Sequence, residues 1–158
     1  MRTCLLIVMV VCLATVSVGY AAEPSDTEQA ITAAAQKYLE AFAARDIEGC
    51  LAAFAPGKKT VLMGTGPGER WVGAKEIGMA HKEMFKVSEK ETFERKWSLV
   101  SARARIAWTA SETIITNVVN GEERKFAINS SAVWVLRNDK WQIALMHVSN
   151  LTGPEKEE

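Results

Sequence analysis

The sequence has no excess of either charge: 19 Lys and Arg residues stand against 19 Asp and Glu, a formal net charge of +0. The basic residues are scattered, so neither nucleic acid nor an anionic membrane is predicted as a partner. Histidine is scarce. His81 and His147 are the only two, and neither has a second ligand at a spacing such as His-Glu-x-x-His. No metal and no cofactor is therefore predicted. Cysteine is scarce too, with three in the chain. Cys4 and Cys12 fall in the N-terminal apolar stretch, which leaves Cys50 without an intrachain partner. Its neighbours Ile47, Leu51 and Phe54 predict a buried structural thiol. No Gly-x-Ser-x-Gly elbow is present. The segment Gly64-Thr65-Gly66-Pro67-Gly68 lacks the Lys-Ser/Thr ending of a phosphate-binding loop and reads as a turn.

Long apolar runs are limited to one, from Cys4 to about Val18. Arg2 precedes it and Gly19-Tyr20-Ala21-Ala22 follows, the positive, apolar, small-residue order of a secretory signal. The run is shorter than the ~20 residues of a spanning helix. Cleavage after Ala21 or Ala22 is predicted, giving a signal peptide over 1–22, one soluble domain over 23–153 and a polar tail over 154–158. The mature protein is then secreted or periplasmic, with no membrane association after cleavage.

Within the domain, Ser25 followed by Glu28 fits a capping box. A helix is predicted from there, with Ile31, Ala34, Ala35, Tyr38, Leu39 and Phe42 on one stripe. Asp46 caps a second, short helix that Pro56-Gly57 stops. Thr60 to Met63 is a short strand. A third helix spans about Ala74 to Phe85, where His81 sits at helical spacing between Ile77 and Met84 and abuts the core. From Thr92 the period changes to two, with Phe93, Trp97 and Leu99 on one side of a strand. Strands follow over Arg105–Val119, Lys125–Arg137 and Lys140–Ser149. Asn120-Gly121 and Asn138-Asp139 join the last three as tight turns. Helices first and a long antiparallel meander after them make an α+β arrangement, helices packed on one face of a curled sheet.

The two turns fix a register, provided no bulge intervenes. Ser111 then lies opposite Ser130, Glu112 opposite Asn129, Trp134 opposite Ile143, and Ser130 opposite His147. Opposed residues share a face. One face carries Phe126, Ser130, Trp134, Trp141, Ile143, His147, Ser149 and Ser111. It is mostly apolar and is crossed by the polar row Ser111, Ser130, His147, the usual composition of a small-molecule pocket. The opposite face, with Ile106, Trp108, Ala110, Ile114 and Val133, is also largely apolar. A second copy of the chain is predicted to cover it.

Several segments together resemble the nuclear transport factor 2-like superfamily, and within it the SnoaL-like group. They are Tyr38-Leu39-Glu40-Ala41-Phe42, Leu51-Ala52-Ala53-Phe54, Trp71-Val72-Gly73-Ala74, Ala107-Trp108, and the closing Trp141-Gln142-Ile143-Ala144-Leu145-Met146-His147-Val148-Ser149. The resemblance spans about Thr27 to Leu151. It implies a cone-shaped roll, three N-terminal helices packed on a strongly bent, mainly antiparallel sheet, with an internal cavity lined by the closing His and Ser. It also implies frequent dimers. The fold hosts isomerases, dehydratases, cyclases and non-catalytic domains, so it does not name an activity. Three readings follow. The first is an exported domain binding a small, partly apolar ligand against Phe126, Trp134 and Trp141, with Ser111, Ser130 and His147 orienting it. The second is an enzyme of proton-transfer chemistry with His147 as general acid/base. The third is a non-catalytic dimerisation domain.

Overall fold

The computed structural model describes residues 25–151. The predicted signal peptide and polar tail lie outside the described residues. Helix α1 (Asp26–Ala43) begins where the sequence places it. Glu28 N donates to Ser25 Oγ at 3.3 Å and Ser25 N to the Glu28 carboxylate at 2.8 Å, which completes the capping box. Helix α2 (Ile47–Ala52) starts at Asp46, whose carboxylate accepts from Gly49 N at 3.0 Å. Strands β1 (Val61–Met63) and β2 (Arg70–Val72) form a small hairpin, and helix α3 (Gly73–Val87) follows directly. Four long strands complete the chain: β3 (Lys90–Arg103), β4 (Ile106–Val119), β5 (Glu122–Arg137) and β6 (Lys140–Asn150).

The sheet order is β2-β1-β6-β5-β4-β3. All pairs are antiparallel except β1 with β6. The turns at Asn120-Gly121 and Asn138-Asp139 have positive φ at both central residues, as tight hairpins require. The loop of β1–β2 closes on Glu69, whose carboxylate accepts from Gly66 N at 2.9 Å. A Cβ on Gly64 would stand 2.2 Å from that carboxylate and 2.9 Å from Glu69 Cβ, so a side chain there would displace Glu69 from the loop.

Two bulges reset the side-chain faces. In β6, Trp134 pairs with Ile143 but Val133 pairs with Leu145, so Ala144 is the extra residue. In β3, Arg95 pairs with Thr113 but Trp97 pairs with Glu112, so Lys96 is extra. An extra residue inverts the alternation beyond it. The register across β4 and β5 is the expected one, with Ser111 opposite Ser130 and Glu112 opposite Asn129. Past the β6 bulge the expectation fails: His147 pairs with Ser131 and Ser149 with Asn129, while Ser130 pairs with Val148. His147 and Ser149 thus turn away from the helices, and Met146 and Val148 turn inward. Trp97 likewise leaves the face of Phe93 and is 54% exposed.

The core lies between the helices and the inner face of the sheet. Ile31 of α1, Ile77 of α3 and Ile143 of β6 are buried there with Trp134 and Phe54. Burying side chains of this size contributes about 1.5–3 kcal/mol each.

Candidate functional site

The inner face and the helices do not meet everywhere. Between them lies a cavity of about 570 Å³. Its walls come from α1 (Tyr38, Phe42), α3 (Ala80, Met84) and the inward residues of β3 to β6. Small residues make the space: Ala80 and Ala132 stand where larger side chains would fill it. The volume suits a compact organic molecule.

Of the residues predicted for this site, Ser111, Phe126, Ser130, Trp134 and Ile143 line the cavity. Trp141 instead packs on the core from its partly buried position, outside that lining. His147 and Ser149 are displaced by the β6 bulge to the outer face. There, with Trp97, Asn129 and Ser131, they border a shallow groove of about 300 Å³. The polar row of the inner face accordingly runs Ser98, Ser111, Ser130 across β3, β4 and β5, without His147.

Much of the cavity's polarity is already satisfied. Ser111 Oγ and Ser130 Oγ share a hydrogen bond of 2.8 Å. Trp134 Nε1 donates to Thr109 Oγ1 at 3.0 Å. In the helical layer, His81 Nδ1 lies 2.8 Å from Ile77 O and therefore donates to it. His81 Nε2 is then the acceptor for the Tyr38 hydroxyl at 3.1 Å. Burial holds the imidazole below its ordinary pKa, against the opposing pull of the Ile77 carbonyl, so it is neutral. His81 is fully buried and abuts the core as its helical spacing predicts.

Two lining residues escape sequence reasoning. Glu91 and Asn117 pair directly across β3 and β4 and both face the cavity. Burial pushes the Glu91 carboxyl above the usual carboxylate range, while the Ser88 hydroxyl and the Arg45 guanidinium oppose that shift. Asn117 Oδ1 is buried without a hydrogen-bond partner. The available signal is the alternation Glu91, Phe93, Arg95 before the β3 bulge, which puts all three on the inner face. Among the described residues, no group of His, Cys, Asp and Glu is placed to hold a metal ion. No helix among them is long and apolar enough to cross a membrane.

Comparison with known proteins agrees with this architecture. The SnoaL-like domain pattern matches residues 31–153. No curated protein matches the chain. Among solved structures, a nuclear transport factor 2-like superfamily protein from Salmonella enterica serovar Typhimurium is similar. It is 21% identical, with 83% of this chain and 95% of that one covered and a TM-score of 0.73. A ketosteroid isomerase-like protein from Erwinia carotovora atroseptica is 26% identical over 81% of this chain and 98% of its own, with a TM-score of 0.68. A nuclear transport factor 2-like protein of unknown function from Pseudomonas putida is 16% identical, with coverages of 84% and 92% and a TM-score of 0.70. The pattern match over most of the chain, on an α+β fold of helices against a curved six-stranded sheet, identifies the protein: it belongs to the SnoaL-like domain family of the nuclear transport factor 2-like superfamily.

Proposed function

We propose that the domain binds a small, mainly apolar molecule in the cavity between the helices and the inner face of the sheet. The observation that carries this reading is the cavity itself, about 570 Å³ and walled largely by apolar side chains such as Phe42, Met84, Phe126 and Trp134. A merely structural sheet would fill that space. The test is native mass spectrometry of the protein purified from its own host. The wild type carries one small molecule per chain, and Ala132→Leu, which fills the cavity, lacks it. Equal masses of adduct on both proteins, or none on the wild type, contradict the reading.

Proton-transfer chemistry is the second reading, and Glu91 favours it. A carboxyl whose pKa is raised by burial in a cavity is suited to general acid/base work. The similarity to a ketosteroid isomerase-like protein supports it at the level of fold. His147 has no part in this reading, since it lies on the other face. We further propose export through the N-terminal signal and a homodimer through the outer face. Trp97, Ile106 and Trp108 are 54%, 53% and 45% exposed there, a patch that a second copy would bury. A monomeric mass by light scattering at high concentration counts against the dimer.

A further inference from the structure

Arg95 is the one basic residue among those that line the cavity. Exposure alternates along β3 from Lys90 to Lys96, and Arg95 falls with Glu91 and Phe93 on the less exposed, inward side. The bulge at Lys96 follows at once. Three other arginines spend their guanidinium on main-chain carbonyls: Arg45 on Ser88 O, Arg105 on Leu136 O and Arg137 on Pro56 O. The Arg95 side chain makes no hydrogen bond and no ion pair among the described residues. Directly opposite it on β4 stands Thr113, which is 5% exposed and lines the same cavity. Its hydroxyl has no hydrogen-bond partner among the described residues, whereas Ser111 and Ser130 in the next row satisfy each other. Nor is that hydroxyl sealed off; the unmet side-chain atom closed to solvent is Asn117 Oδ1. A guanidinium and a free hydroxyl therefore stand side by side, open to an apolar cavity.

We propose that Arg95 and Thr113 anchor the carboxylate of an apolar monocarboxylic acid, the Arg95 guanidinium pairing with it and the Thr113 hydroxyl donating to it. The inference rests on the cavity reading and names its ligand class. Both groups are donors without an acceptor, so what completes them is an acceptor-only head group. A carboxylate is acceptor-only and matches the guanidinium fork in shape and charge. The body of the ligand then lies on Ile128, the β5 neighbour of Thr113, and on the adjoining inward row of Phe93, Ile115 and Phe126. The acidic lining residues do not occupy the anchor. Glu69 accepts from Gly66 N and Glu83 pairs with Lys86. Glu91 lies four residues from Arg95 along β3, roughly 13 Å in an extended strand. One cation facing the cavity among three carboxylates suits a single negative charge and disfavours a dianion.

Three matched probes test the anchor near neutral pH by isothermal titration calorimetry: 2-naphthoate, its neutral isostere 2-naphthamide, and 2-naphthol. The wild type binds 2-naphthoate about tenfold more tightly than either neutral probe, the worth of one charge-assisted hydrogen bond, and the margin narrows as salt is added. Arg95→Gln abolishes the preference and leaves affinity for the neutral probes unchanged. Arg95→Lys keeps part of it, since the charge remains and the fork is lost. Thr113→Val weakens 2-naphthoate severalfold while keeping or raising the Tm, because the hydroxyl it removes has no partner in the free protein. That variant tests the pair even if Arg95→Gln folds poorly. Equal or weaker binding of 2-naphthoate than of 2-naphthamide by the wild type overturns this proposal alone. So does a preference that survives Arg95→Gln, or a Thr113→Val protein that is less stable yet binds 2-naphthoate as the wild type does. Failure of all three probes to bind overturns the cavity reading as well.

Discussion

The Tyr38 hydroxyl donates to Nε2 of His81 at 3.1 Å, joining α1 to α3 above the cavity. The imidazole passes the constraint on through Nδ1–H to Ile77 O, one turn back along α3. Both polar side chains are buried among Phe42, Phe54 and Phe85, whose rings meet His81 edge-on. Tyr38→Phe leaves the acceptor of His81 without a donor. It should cost about 1–3 kcal/mol in urea unfolding, with no change in fold by circular dichroism. An unchanged midpoint would mean that the hydrogen bond carries no stability.

The same imidazole gives the fold an acid limit. Its pKa is lowered on folding, so the unfolded chain takes up the proton first. The stability from neutral His81 is fully present above its ordinary 6.5 and is lost as pH falls through the lower folded value. Glu91 acts in the opposite sense. Its folded pKa is raised above 4.5, so its contribution is present below that pH and is lost as pH rises through the folded value. Arg45 and, on the row of Asn117, Arg124 are the cations on that side. Glu91→Gln should therefore gain stability relative to the wild type as the pH is raised from acid to neutral. Parallel profiles for the two proteins would refute the assignment.

Cys50 is buried in α2, and burial followed by the nearby Asp46 charge pushes its thiol up to about 12. The native protein should resist iodoacetamide near neutral pH and react once unfolded in urea. Rapid alkylation of the folded protein, followed by intact mass, would disprove this.

His147→Ala should leave cavity binding unchanged and alter stability by no more than about 0.5 kcal/mol, since the side chain is exposed on the outer face. Ile77→Ala, at a fully buried position, should cost about 2–5 kcal/mol. Loss of ligand in His147→Ala without loss of fold would return the site to the outer face.

The contrast between these residues shows what the sequence made legible. Capping signals at Ser25 and Asp46 and the turn pairs Asn120-Gly121 and Asn138-Asp139 are local chemistry, and each appears in the structure as read. The register they imply is right up to the first bulge, which is why Ser111, Ser130 and Trp134 reach the cavity. Ala144 and Lys96 carry no glycine or proline mark of a bulge, and each inverts the strand beyond it. The β3–β4 turn is hidden for a similar reason. It uses Ala104 at φ 55, a conformation usually marked by Gly or Asn. Without that turn β3 has no register, and Glu91 cannot be placed opposite Asn117.

The most direct test is an isotope-filtered NOE experiment on the labelled protein saturated with 2-naphthol. The cavity account predicts contacts from the probe to inward side chains, Ile115, Ile128, Met146 and the Trp134 ring, and none to His147 or Trp97. Contacts confined to His147, Trp97 and Ser149 on the outer groove, or no saturable contact at all, would contradict it.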